Sequence, residues 1–363
     1  MAYIPHEKLS INWTKGEKSL TLSLPWMSMG IEVTAQDKPW ISDALSHLHS
    51  STSHSNVQRF INELKDYPLF YIQPRSLKEF QGKDLQICPE LMVDSSTPER
   101  LMSTFGCQIA EELKESALSA WTWDREKILS KSRIQGTDLY DPISLITYLI
   151  CYRLEWESIT WSGQDGFGQF LERLLKRNED QFFKAIGWIS KQSWYVTTES
   201  CEAMKSALSH FEKAQELINH FICDEAGHYK FMEQVFQDLN LDKDDFPVGE
   251  GTKWLLNAHE KTAEISPLAF SAMINLFEAA YYEGQDPISR VIHLSSRPYA
   301  AQGYDLHYKI NQEHRHCDMP VKLASYLGPQ TYEHALLTLG LFELTLNFLD
   351  NMEKDLVKRF EFQ

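Results

Sequence analysis

Two short motifs in this sequence pair a carboxylate with an imidazole three residues later. They are Glu225-x-x-His228 and Glu313-x-x-His316. On an α-helix, residues three apart share a face, so each pair can direct two ligand atoms at one metal ion. Both glutamates fall among the apolar positions of predicted helices, where an unpaired carboxylate is costly. Two such pairs predict a dinuclear metal site.

A metal site inside a helical bundle also draws carboxylates from the two remaining core helices. Counting residues from the predicted helix ends, at about 1.5 Å per residue, places Glu172 and Glu278 near the level of Glu225. Glu283 is the second choice after Glu278. The alternatives to Glu172 are Glu155, Glu157 and Glu179.

Two further histidines lie near the same helix faces. His220 precedes His228 by eight residues, and His307 precedes Glu313 by six. Neither spacing matches the E-x-x-H pattern, and a histidine on an apolar face is more often a hydrogen-bonded core residue than a ligand. We therefore interpret both as structural.

The complete predicted ligand set has a recognisable order along the chain. It consists of Glu172, Glu225, His228, Glu278, Glu313 and His316. A glutamate, an E-x-x-H motif, a second glutamate and a second E-x-x-H motif, in that order on four helices, resemble the ferritin-like di-iron carboxylate superfamily. The haem-oxygenase-like di-iron oxidases are similar too. The resemblance covers roughly residues 165–320 and implies that these six side chains bind two Fe²⁺ ions, with manganese as the alternative metal.

The resemblance implies an O2-activating non-haem di-iron oxidase or oxygenase supplied by an external electron donor. Such an enzyme hydroxylates, N-oxygenates, desaturates or oxidatively cleaves a substrate held in an apolar pocket. The substrate class stays open between a small molecule, a carrier-bound acid and a peptide. Two alternatives are a radical-generating di-metal subunit and a metal-free helical protein that binds a peptide or another partner.

The secondary-structure patterns that must position these residues change near residue 135, which divides the chain into two regions. Residues 1–135 show short mixed patterns, typical of a small α+β region that is a candidate docking module. Residues 136–363 predict an all-α bundle of about six or seven helices. Strands are expected at 19–24, 30–34 and 69–72, and N-terminal helices at 39–50, 55–65 and 97–133. The later helices are expected at 141–161, 168–192, 203–239, 252–264, 267–295, 299–319 and 329–360.

The composition narrows the class of protein. The chain has 35 Lys and Arg against 51 Asp and Glu, a formal charge of −16. This excess of acid argues against nucleic acid and anionic membranes as partners. The sequence shows no apolar run of the ~18 residues that a membrane span needs, no visible secretory signal and no C-x-x-C pair. A cytoplasmic protein is the expectation, with a homodimer as the commonest oligomer.

Overall fold

The computed structural model describes most of the chain. The described ranges are 3–14, 18–24, 27–48, 54–65, 69–80, 125–161, 166–209, 211–278 and 285–361. The alternative ligand Glu283 lies outside them, as does the greater part of the helix predicted over 97–133.

A small β region stands at the N-terminus, as the mixed patterns predicted. Strands β2, β3 and β4 form an antiparallel sheet, and β1 pairs with β5 in a separate two-stranded ladder. Leu20, Leu22 and Leu24 alternate with more exposed residues along β3, so one face of the sheet packs on helices α1 and α2. The strands are β1 Tyr3–Pro5, β2 Ser10–Trp13, β3 Ser19–Leu24, β4 Met27–Glu32 and β5 Phe70–Ile72. The helices are α1 Lys38–His47 and α2 Ser55–Leu64.

The rest of the described chain is helical, which confirms the coarse prediction of a helical bundle. The α-helices are α3 Arg125–Ser132, α4 Pro142–Thr160, α5 Phe167–Arg177, α6 Glu179–Met204, α7 Gln215–Glu225, α8 Tyr229–Leu239, α9 Glu250–Ile265, α10 Pro267–Glu278, α11 Pro287–Ile292, α12 Gln302–Glu313, α13 Met319–Ser325 and α14 Tyr332–Glu361. Short 3-10 helices lie at Leu77–Phe80, Lys205–Ser209, Glu212–Ala214, Lys243–Asp245, Pro298–Ala301 and His316–Asp318.

The helix breaks in the middle of the chain differ from those predicted. Asn178 ends α5 and caps α6 by accepting a hydrogen bond from the Gln181 amide. Helix α6 then continues to Met204 instead of ending near residue 192, because residues 193–204 contain no proline or glycine to stop it. Glu172 was placed near the level of Glu225 by counting from a helix end near residue 192. The helix does not end there, so that estimate was wrong.

Contacts among a few helices create the setting for the candidate site. Helix α8 packs against α6 and α12, α9 packs against α6 and α14, and α10 packs against α13 and α14. The N-terminal region is tied to this bundle through the buried ion pair of Arg75 with Asp141. Within the described residues, none of the helices has the length and apolar character needed to cross a membrane.

Candidate metal centre

Left-handed turns, rather than continuous helices, position the two E-x-x-H motifs. Helix α7 ends at Glu225, and Gly227 with φ 100° interrupts the helix before His228, the N-cap of α8. Helix α12 likewise ends at Glu313, and Arg315 with φ 54° turns the chain into the 3-10 helix of His316. The expectation that each pair lies on one uninterrupted helix was wrong, since both helices end inside the motif.

Five side chains come together at these turns, and we name them the metal-centre residues. They are Glu225, His228, Glu278, His307 and His316. Their ligand atoms form two groups in which all atoms lie within 4.8 Å of one another: Glu225 with His228 and His307, and Glu225 with Glu278 and His316. Glu225 belongs to both groups. A carboxylate can bridge two cations, so this arrangement fits a dinuclear centre.

The distances around Glu225 show a compact core. His228 Nδ1 lies 2.9 Å from Glu225 Oε2, and His316 Nδ1 lies 2.9 Å from Glu225 Oε1. His316 Nδ1 also lies 3.3 Å from Glu278 Oε2, to which the Asn311 amide donates a hydrogen bond of 3.1 Å. Glu225, His228, Glu278 and His316 are all buried, which leaves two carboxyl groups within the apolar bundle.

The surroundings shift the pKa of Glu278, Glu225 and His307, each in a direction that its neighbours explain. Burial raises the pKa of Glu278, and the negative charge of Glu225 raises it further. Burial opposes ionisation of Glu225 as well, but contact with the His228 and His316 imidazoles outweighs it and lowers the pKa. Burial lowers the pKa of His307 to about 4, so this imidazole is neutral. A neutral imidazole beside an ionised carboxylate is a suitable pair of metal ligands.

Several polar atoms of this cluster have no hydrogen bond within the described structure. They are Glu225 Oε1, His228 Nδ1 and His316 Nε2, all buried. Buried polar atoms are nearly always satisfied, by protein, water or an ion. Glu225 Oε1 and His228 Nδ1 belong to the converging ligand atoms, and buried atoms without hydrogen bonds at such a place fit ligands of a cation.

Two predicted ligands lie away from the cluster. The side chain of Glu313 is 60 % exposed and lies 3.7 Å from Lys309, because the chain turns inward only after Arg315. Glu172 on α5 faces Arg290 at 3.8 Å, since the helix break at Asn178 changes the level that the sequence indicated. The predicted metal role of these two glutamates therefore has no support from the structure.

The alternatives to Glu172 also have other partners. Glu155 pairs with Lys8, and Glu157 accepts a hydrogen bond of 2.6 Å from Arg153. Glu179 accepts hydrogen bonds from the backbone and hydroxyl of Ser296. None of the three joins the clusters of potential metal ligands found in the described residues.

His307 belongs to the cluster although its sequence spacing argued against it. Its ring centroid lies 4.9 Å from that of His228, in an edge-on arrangement. His307 and Asn311 are four residues apart on α12, so they share a helix face. The i, i+4 spacing of a histidine and an asparagine is the signal in the sequence that indicates this shared face, and it differs from the E-x-x-H pattern.

An outer carboxylate faces the second nitrogen of His316. Asp224 Oδ2 lies 3.7 Å from His316 Nε2 and 3.2 Å from His314 Nδ1. The His316 ring thus has Glu225 and Glu278 on one side and Asp224 on the other. A carboxylate behind a ligand imidazole commonly orients the ring and increases its basicity, and Asp224 is placed for that role.

A cavity of about 300 Å³ adjoins the metal-centre residues. Glu225, Glu278 and His307 line part of it, and most of the remaining wall is apolar. Representative wall residues are Trp188, Val196, Phe221, Leu255, Phe277 and Leu349. A largely apolar cavity with a few convergent polar groups is typical of a small-molecule site.

Comparisons of the chain with family models, with curated proteins and with solved structures found no match. The arguments that follow therefore depend on the geometry of the described residues.

Proposed function

We propose that the metal-centre residues bind two divalent ions and that the protein is an O2-activating non-haem di-iron oxidase or oxygenase. The observation that carries the proposal is the position of Glu225, which belongs to two ligand groups at once. Its two carboxylate oxygens each lie 2.9 Å from a different imidazole. A side chain that serves two groups is what a bridging ligand requires.

The donor set supports iron or manganese. Three imidazoles and two carboxylates combine nitrogen with hard oxygen ligands, which suits both metals. The sequence predicted four carboxylates and two imidazoles, whereas the cluster contains two and three. The ligands come from the α7–α8 turn, α10, α12 and the turn after α12, with none from α5. The proposal therefore keeps the di-iron oxidase class without the predicted four-helix order of ligands.

The side chains around the cluster have separable roles in this proposal. Two bound ferrous ions would supply electrons for the reduction of O2, with an external donor restoring them. Glu225 would contribute a ligand atom to both metal positions, and the three imidazoles would supply the nitrogen ligands. The Asn311 amide fixes the Glu278 carboxyl through its hydrogen bond. The apolar wall of the cavity would exclude water and orient the substrate.

A zinc-dependent hydrolase is the second candidate. The third imidazole favours it, because catalytic zinc sites are rich in nitrogen ligands. The largely apolar wall beside the metal centre favours oxidation of a carbon skeleton instead. The identity of the bound metal separates the two candidates.

Anaerobic reconstitution of the full chain tests the proposal. We expect about two iron ions per chain, and an absorbance change with O2 uptake when air is admitted. Glu225→Ala should remove most of the bound iron, because both ligand groups lose a member. The matched control is Glu313→Ala, which removes an exposed glutamate of the second E-x-x-H motif and should leave the iron content unchanged.

Three outcomes would contradict the proposal. The first is less than about one iron per chain in the wild-type protein. The second is iron that Glu225→Ala retains in full. The third is a preference for zinc with no reaction toward O2, which would favour the hydrolase. Without any metal binding, a metal-free helical partner-binding protein would be the better interpretation.

A further inference from the structure

Glu353 is a half-buried residue on the side of the long C-terminal helix that faces the cavity. It follows Leu349 by four residues and precedes Leu356 by three, so it shares their helix face. Leu356 is fully buried, and Leu349, Met352 and Glu353 all line the cavity beside the metal centre. The pattern of α14 predicts an apolar residue at this position, and a carboxylate there needs a physical reason.

The neighbouring cations are already engaged with other acids. Lys354, the next residue along the helix, lies 2.5 Å from Asp350. Arg153 on α4 pairs with Glu157 and also donates to the Asn275 carbonyl oxygen. No lysine or arginine lines the described cavity. Glu353 is therefore the one acid of the cavity wall that is neither in the metal-centre cluster nor matched by a basic residue there.

The electrostatic surroundings increase the cost of this carboxylate. Burial raises the pKa of the Glu353 carboxyl well above its ordinary range, and the acids Asp350 and Glu157 raise it further. Lys354 opposes the shift only in part. A positive charge delivered by a ligand would relieve both the desolvation and the repulsion.

The walls of the cavity suit the carbon skeleton of the same ligand. Trp188, Phe277 and Leu349 contribute apolar surface to the cavity that Glu353 and three of the metal-centre residues also line. Aromatic faces also attract an organic cation, which adds to the attraction of the carboxylate.

We propose that the cavity binds a substrate with a protonated amine, whose ammonium group pairs with Glu353 and whose apolar chain extends along the wall toward the metal centre. The role of this amine as a substrate rests on the proposed oxidase function, whereas the recognition of an amine by Glu353 does not. A carboxylic acid of the same length would meet the carboxyl groups of Glu225, Glu278 and Glu353 in the wall and bind poorly. The substrate class is thus an amphipathic amine.

Calorimetric titration of the full-length, chelator-treated protein tests this inference. The probes are n-octylamine, 1-octanol and octanoate, which share a chain and differ in the head group. We expect n-octylamine to bind the wild-type protein about 10- to 100-fold more tightly than either of the others. Glu353→Gln should abolish this preference while retaining the binding of 1-octanol, which shows that the cavity is still folded.

Asp355→Asn is the matched control, because it removes an exposed acid of the same helix that does not line the cavity. It should preserve the preference for n-octylamine. Equal binding of the three probes, no binding of any of them, or a preference that persists in Glu353→Gln would overturn the inference. The titration needs no metal, so failure of the oxidase proposal would leave its result intact, and failure of amine binding would leave the metal measurements intact.

Discussion

At the scale of single residues, the proposed metal centre depends on where a few side chains point. Glu225, His228, Glu278 and His316 were predicted as ligands from their type and spacing, and the structure brings these four together. Glu313 and Glu172 were chosen by the same reasoning and lie elsewhere. The difference arises from backbone turns of a few residues, which helical periodicity does not encode.

His307→Ala tests the ligand that sequence spacing passed over. The substitution removes one imidazole from the group of Glu225 and His228, so we expect the iron content to fall by about one ion per chain. His293→Ala is the control, because His293 pairs with Asp305 outside the cluster. Equal metal content in the two variants, measured by elemental analysis, would exclude His307 as a ligand.

Glu353→Gln should change how stability depends on pH. The folded protein holds the Glu353 proton to a higher pH than the unfolded chain does, because burial and nearby acids raise its pKa above the ordinary 4.5. The stability that comes from holding this proton is therefore fully present below the pKa of Glu353 in the unfolded chain, and it is lost as the pH rises through the pKa in the folded protein. The variant should gain thermal stability over wild type at about pH 8 and little at about pH 5. An equal difference at both values would mean that Glu353 ionises normally.

At the scale of elements, close helix approach holds the ligand-bearing segments in place. Gly303 on α12 has so little space that an added Cβ would lie 2.2 Å from the Phe231 carbonyl oxygen of α8. His307 follows Gly303 by one helical turn, and His228 precedes Phe231 by three residues. The distance between α8 and α12 therefore controls the distance between His228 and His307, two of the proposed ligands.

Gly303→Ala should separate these two helices. We expect a loss of about 1 to 3 kcal/mol in the free energy of unfolding, together with weaker metal binding. Gly30→Ala is the control, because nothing lies within 4 Å of the Cβ that it would add to β4. Chemical denaturation and metal titration of both variants measure the effect. Wild-type values for Gly303→Ala would show that the helices shift without cost.

Element type was more predictable than element ends. The periodicity of residues 142–160 and 332–361 predicted helices that the structure contains, within a few residues. The interruption after Glu225 was missed, because a single glycine inside an apolar pattern does not reveal its φ. The break at Arg315 carried no signal, since a left-handed arginine is uncommon and depends on its surroundings. These two breaks are what direct His228 and His316 into the site.

At the scale of the whole molecule, the N-terminal region and the bundle share a buried ionic contact. Arg75 donates from its backbone amide and its guanidinium to Asp141, which is fully buried and also caps α4. Tyr71 of β5 stacks on Tyr148 of α4 close by. The core of the bundle also includes Ile72, Ile128 and Leu129, so residues from both sides of the predicted boundary near residue 135 pack in one core.

Asp141→Ala should destabilise the whole chain. The substitution leaves the buried Arg75 without its partner and removes the helix cap, so we expect a loss of about 3 to 5 kcal/mol in the free energy of unfolding. The control is Asp138→Ala, which removes a 94 % exposed acid that pairs with Arg133 and should cost little. Similar unfolding midpoints in urea for the two variants would contradict this role of Asp141.

Anomalous diffraction from crystals loaded with Mn²⁺ or Fe²⁺ tests the central claim most directly, namely that Glu225 lies between two metal ions. We expect two peaks about 3.5 to 4 Å apart, one beside His228 and His307 and the other beside Glu278 and His316. The absence of peaks at these residues, or a single peak that Glu225 does not contact, would contradict the dinuclear centre.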